Sequence, residues 1–156
     1  MRAYADSSFI LRLVTSEAES ENSIAEYRRL GYPPLFFLPL HGLEVRNAIL
    51  LRAFHQRRSI SSSERRHVAR ERDAALARLQ HFLTRRALLD VTLDMDTAVA
   101  KANKLSTGHT ERLGARAIDL LHVAGALTLE SELFLTTDIR QAQLAKAEGL
   151  KVISVG

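Results

Sequence analysis

Residues 132–155 read "ELFLTTDIRQAQLAKAEGLKVISV". The apolar run in "ELFLTT" has the length and β-propensity of a buried strand. "DIRQAQLAKAEG" opens on Asp138 and closes on Gly149, so it reads as a helix. "LKVISV" is a second short strand. A strand, a helix and another strand in succession indicate parallel pairing, with the helix covering the sheet.

Working outward, the same alternation runs along the chain. "RAYA" (2–5) is a short extended run that ends at Asp6. "SSFILRLV" (7–14) begins a helix, and "SEAESENSIAEYRRLG" (16–31) reads as a second one, closed by Gly31. "PPLFFL" (33–38) is an apolar strand bounded by Pro39. "LHGLEVRNAILLRAFHQRR" (40–58) is a helix with apolar Leu43, Ile49, Leu50 and Phe54. The stretch 59–86 caps at serine and forms an amphipathic helix with Leu76, Leu79 and Leu83 on one side. "ALLDVTL" (87–93) is a strand, "MDTAVAKANKLS" (95–106) a helix and "TGHTERLG" (107–114) a loop. "RAIDLLHVAGAL" (116–127) is a helix apolar on nearly every face, which implies burial. Five strands alternating with helices predict an α/β fold: a mostly parallel five-stranded sheet covered on both faces.

The chain has 156 residues, which suits a single domain spanning 1–156. Apolar residues make up 46 %, the composition of a globular protein. There is no cysteine, which excludes disulfides and thiolate metal sites and fits a reducing compartment. No apolar run approaches a membrane span, and Asp6 interrupts what would be the apolar core of a signal peptide. A soluble, cytoplasmic protein that does not engage a membrane is expected. The net charge of +4 is unevenly spread. Segment 46–86 holds eleven arginines against Glu64, Glu71 and Asp73, a net of +8 that leaves −4 for the remainder. Such asymmetry suggests a polyanionic partner.

Ligands of parallel α/β sheets bind beyond the carboxyl ends of the strands. Asp6 follows the first strand and Asp138 the fourth. Glu44 and Asp119 lie in the first turns of helices. Each has an ordinary role available: caps for Asp6 and Asp138, a helix-dipole contact for Glu44, a pair with Arg116 for Asp119. Gathered at one edge, however, four carboxylates repel unless a cation holds them. Hard oxygen donors without cysteine suit Mg²⁺ or Mn²⁺. Such a site binds phosphate oxygens and activates water, with the basic segment alongside for a nucleic-acid backbone. His122, one turn after Asp119, reads as a hydrogen-bonded core histidine. Ser7 and Ser8 have no Ser–His–Asp or G-x-S-x-G context, and no dinucleotide or P-loop motif is present.

"YADSSFILRL", "LEVRNA", "RAIDLLHVAGAL" and "LFLTTDIRQAQLAKAEGLKV" together resemble the successive motifs of PIN-domain proteins, most closely the VapC-type toxins of bacterial toxin–antitoxin pairs. The resemblance spans Tyr4 to Val152. It implies a three-layer α/β/α sandwich and a Mg²⁺- or Mn²⁺-dependent endoribonuclease acting on tRNA or ribosomal RNA. On that resemblance Asp6, Glu44, Asp119 and Asp138 are the catalytic and metal-binding acids. Thr136 and Arg116 match accessory positions and, with Ser7, are the candidate substrate contacts. A homodimer and a VapB-type antitoxin are the implied partners. Two alternatives remain: a binding module for RNA or protein in which the acids are structural, and a phosphoacceptor, which needs a lysine beside the acids.

Overall fold

The structure, a computed structural model, describes residues 1–58 and 60–155. Ser59, where the stretch 59–86 begins, and Gly156 lie outside the described residues. The elements in order are β1 (Ala3–Ala5), α1 (Ser7–Val14), α2 (Ser20–Arg29), β2 (Leu35–Phe37), α3 (Pro39–Arg57), α4 (Ser62–Thr84), β3 (Leu88–Asp90), α5 (Met95–Leu113), α6 (Ala117–Thr128), β4 (Leu133–Thr136), α7 (Ile139–Ala147) and β5 (Lys151–Ser154). The strands form one sheet in the order β3-β2-β1-β4-β5, and every neighbouring pair is parallel. The expected α/β class therefore holds.

Alternation along each strand builds the layers. Ala3, Ala5, Leu35, Phe37, Leu133 and Leu135 point into a core with Phe9, Ile10, Tyr27, Val45, Ile49 and Leu79 of α1 to α4. Tyr4, Phe36 and Phe134 point into a second core with Leu105, Leu120, Val123 and Leu144 of α5 to α7. Side chains alternate with period two, so the central strands β1, β2 and β4 are covered on both faces and read as apolar runs, while the edge strands β3 and β5 are partly exposed. The connections from β1 proceed one way along the sheet and those from β4 the other. The reversal falls between the adjacent β1 and β4, where such sheets bind ligands.

Several local expectations need correction. The loop expected at 107–114 is helical, since α5 continues to Leu113. The Thr107 and Thr110 hydroxyls bond back to the Asn103 carbonyl and Ser106 Oγ, and Leu113 packs in the second core. One interior glycine, Gly108, costs about 1 kcal/mol and does not break a packed helix. The stop is Gly114, whose φ of 64° suits a left-handed cap. The second helix begins at Ser20 rather than Ser16, because Glu17 is drawn into a turn by Arg12 and Arg52. On α3 only Ile49 of the four noted apolar residues is buried; Leu43, Leu50 and Phe54 are exposed. The inner face of α3 is instead His41, Val45, Ile49 and Ala53. On α4 the expected leucine side is present, with Leu79 buried and Leu76 and Leu83 packed beside it. Its cap is Ser61, which forms a capping box with Glu64. Among the described residues, no helix is long and apolar enough to cross a membrane.

Candidate functional site

The ends of β1 and β4, with the early turns of α3 and α6, bring four acids to one edge of the sheet. Asp6 directly follows β1 and caps α1, its Oδ1 accepting from Phe9 N at 2.9 Å. Asp138 caps α7, its Oδ1 accepting from Arg140 N and Gln141 N. Glu44 lies in the second turn of α3, and Asp119 is the third residue of α6. Asp6 and Asp119 are fully buried, while the Asp138 and Glu44 side chains keep 20 % and 28 % of their exposure. The two open carboxylates thus border solvent and the two buried ones lie beneath.

Shared partners tie Asp6, Asp119 and Asp138 together, while Glu44 has partners of its own. Thr136 Oγ1 donates to Asp6 Oδ2 at 2.6 Å and accepts from Asp138 N at 2.9 Å, joining the ends of β1 and β4. Ser8 donates to Asp6 Oδ1 and accepts from Thr137 N. Arg116 holds Asp119 with a two-pronged contact and reaches Asp138 Oδ2 at 3.8 Å. Gln141 Nε2 donates to Asp119 Oδ1. Ser7 donates to Glu44 Oε2 at 2.7 Å, and His122 Nε2 meets the same oxygen at 2.6 Å.

The electrostatics follow from burial and these bonds. Burial pushes the Asp6 carboxyl up from its ordinary value, against the bonds from Ser8, Thr136 and Phe9 N that pull it down. Partial burial opposes the charge of Glu44 too, but the His122 contact and the Ser7 hydroxyl outweigh it and leave its pKa lowered. The Arg116 guanidinium is raised by its bond to Asp119. His41 is buried under the site and pushed down to about 3, chiefly by burial and then by His122. Its ring is therefore neutral, and its Nδ1 accepts from Leu38 N at 2.9 Å.

The seven residues singled out from the sequence fall into two bonded sets: Asp6, Thr136, Asp138, Arg116 and Asp119 in one, and Ser7 with Glu44 in the other. Both readings of Asp119 meet here: it pairs with Arg116, and it also stands among the other acids. Sequence reasoning missed Gln141, which follows Asp138 by three positions and turns back to Asp119. It also missed Tyr4, which lies under the site and bonds His122. The apolar flanks of Tyr4 in "RAYA" gave no sign of a polar role.

Carboxylates with hydroxyls beside them are the donor types that a hard divalent cation takes. Among the described residues no three Asp, Glu or His side chains stand grouped to hold a metal ion. Arg116 supplies the positive charge instead, across Asp119 and toward Asp138. No lysine pairs with an acid among the described residues, which leaves the phosphoacceptor reading without its required cation. Compared with known proteins, the chain matches no family model and no curated protein.

Proposed function

We propose that this chain is a PIN-like, Mg²⁺- or Mn²⁺-dependent endoribonuclease that acts in the cytoplasm as the toxin of a VapBC-type pair. The observation that supports the reading best is the convergence of Asp6, Glu44, Asp119 and Asp138 on the reversal point of a parallel sheet. Three carboxylates joined by Thr136 and Arg116, with Glu44 held separately by Ser7 and His122, are more than helix capping requires.

A divalent cation held there would lower the pKa of water and offset charge gathering on a phosphodiester. Asp6, Asp119 and Asp138 are the direct holders in this reading, and Glu44 acts across water or on a second ion. Thr136 and Ser8 fix the Asp6 carboxylate, leaving it no rotational freedom. Arg116, whose side chain is 61 % exposed, has room to leave Asp119 for a substrate phosphate. The arginines of segment 46–86 supply backbone attraction; Arg46, Arg57, Arg58, Arg65, Arg66 and Arg70 are all exposed. Since water attacks rather than the ribose hydroxyl, the ends are 5′-phosphate and 3′-hydroxyl.

The partners in this reading are a VapB-type antitoxin and a second copy of the chain. The outward Leu43, Leu50, Leu51 and Phe54 of α3 support an interface, because soluble chains seldom leave such a row uncovered.

The deciding experiment is cleavage of tRNA and ribosomal RNA by the purified chain with Mg²⁺, with EDTA, and with Asp119→Asn. Cleavage that requires both metal and Asp119 is expected. Equal cleavage by Asp119→Asn would falsify the site assignment, and 2′,3′-cyclic phosphate ends would overturn the mechanism. A second reading, an RNA-binding module without catalysis, is favoured by one feature: Arg116 already satisfies both oxygens of Asp119. It expects RNA affinity that falls with salt and is indifferent to Mg²⁺.

A further inference from the structure

The polar contacts at Glu44 do not stop at the surface. They pass through the second core to the sheet. His122 is 1 % exposed and Tyr4 is fully buried, yet each carries a polar group among apolar neighbours. A buried hydroxyl and imidazole are costly unless each finds a partner. Here each finds one in line. Tyr4 Oη lies 2.9 Å from His122 Nδ1, and His122 Nε2 lies 2.6 Å from Glu44 Oε2.

The donors can be ordered. A phenolic hydroxyl carries its proton at neutral pH. Its proton is then free to go to Nδ1, which leaves Nε2–H to donate to the carboxylate. Ser7 donates to the same Oε2. Two donors therefore hold one oxygen of Glu44. The other oxygen, Oε1, takes no bond from the described residues and is not a buried orphan, so it stays open to solvent.

The packing keeps the line straight. His41 lies 5.0 Å from the rings of both Tyr4 and His122. Phe134 stacks on Tyr4 at 5.7 Å, nearly parallel. On α6, one turn from His122, Gly125 borders Tyr4; a methyl there would lie 3.4 Å from both Tyr4 Oη and Leu93.

We propose that Tyr4 and His122 form a buried hydrogen-bonded relay that positions Glu44, clamping Oε2 so that Oε1 is presented to the ligand of the site. His122 and Tyr4 are positioning residues; neither touches the substrate. The proposal rests on the metal-site reading only for what Oε1 faces, since the relay itself exists without any ligand. In metal sites, groups that orient a ligand from behind are typically worth 10–100-fold in affinity.

The test has two arms. In the first, proton NMR of the chain without metal looks for a slowly exchanging, strongly downfield His122 Nε2–H. It is expected in the parent, lost in Glu44→Ala and shifted in Tyr4→Phe. Its absence from the parent, or indifference to Tyr4→Phe, overturns the relay whatever the protein's activity. In the second, Mn²⁺ titration of folded His122→Phe is expected to show affinity reduced 10–100-fold. His122→Gln, which keeps an N–H donor near the Nε2 position, recovers most of it. Unchanged Mn²⁺ affinity in His122→Phe refutes the positioning role. A parent that binds Mn²⁺ but cleaves no RNA removes the nuclease reading and leaves the relay standing.

Discussion

Arg116 lies across both oxygens of Asp119, Nε to Oδ2 and Nη2 to Oδ1, each at 3.1 Å. Asp119 is fully buried and the Arg116 side chain is largely exposed. The pair therefore has a buried anion and a solvent-facing cation. A buried charge offset from the solvent side is one that a second cation could reach once Arg116 is removed.

Arg116→Ala is the direct check. It strands a buried carboxylate that retains only Gln141 Nε2 and the backbone N–H of residue 116. Loss of about 1–3 kcal/mol is expected without divalent ions, because the unmet charge is buried. Mn²⁺ should restore much of it, so the Mn²⁺-induced rise in melting temperature should be larger in the variant than in the parent. Equal rises would mean that Asp119 does not take a metal when released.

Thr136 is the hinge between the two strand ends. Its hydroxyl serves Asp6 and the Asp138 backbone together. Thr136→Val keeps the shape and leaves both without that partner, at a cost of roughly 1–3 kcal/mol. Removing a donor from an ionised carboxylate also raises its pKa further, beyond the rise that burial already imposes. The acid limb of activity should move to higher pH, and carboxyl-carbon NMR should show Asp6 titrating later. Thr136→Ser should keep the parent profile; if it behaves like Val, the hydroxyl is not the cause.

How far the site was legible follows from distance along the chain. Asp6 and Asp138 could be placed because each directly follows an apolar run, and a strand end has a known side of the sheet. Arg116 and Asp119 are three apart on one helix, so their pairing was readable as an ordinary contact. Glu44 and His122 are 78 positions apart on different crossovers, and no local pattern announces that they meet. Gln141 reaches Asp119 across two helices for the same reason. In the fold, the central strands were plain because both faces are apolar. The end of α5 was not, because threonines and Gly108 mimic a loop where packing decides.

The outward row on α3 was hidden by the opposite ambiguity. Leu43, Leu50 and Phe54 look like a core face, yet His41, Val45, Ile49 and Ala53 occupy the core. If a second copy covers the outer row, Leu50→Glu should shift sedimentation from dimer to monomer. Its monomer stability should change by less than about 0.5 kcal/mol, as for other exposed positions. A parent that sediments as a monomer at all practical concentrations would remove the homodimer from the proposal.

His41 gives the pH dependence of the fold itself. Its folded pKa is near 3, against an ordinary 6.5, with burial as the main cause and His122 next. In the window from about 6.5 down to 3 the unfolded chain therefore binds a proton that the folded chain does not. The sign follows: stability from this group is complete above pH 6.5 and is lost as pH falls through the window, by up to about 1.4 kcal/mol per pH unit. His41→Asn keeps an acceptor for the Leu38 N–H but does not titrate. It will be less stable at pH 7, because it packs less well against Phe37 and Tyr4. The informative quantity is the slope. Urea unfolding between pH 6 and pH 5, above the range where most carboxylates protonate, should give a shallower decline in the variant by about 1 kcal/mol per unit. Parallel slopes would show that His41 is protonated or solvated in the folded chain, contrary to its burial.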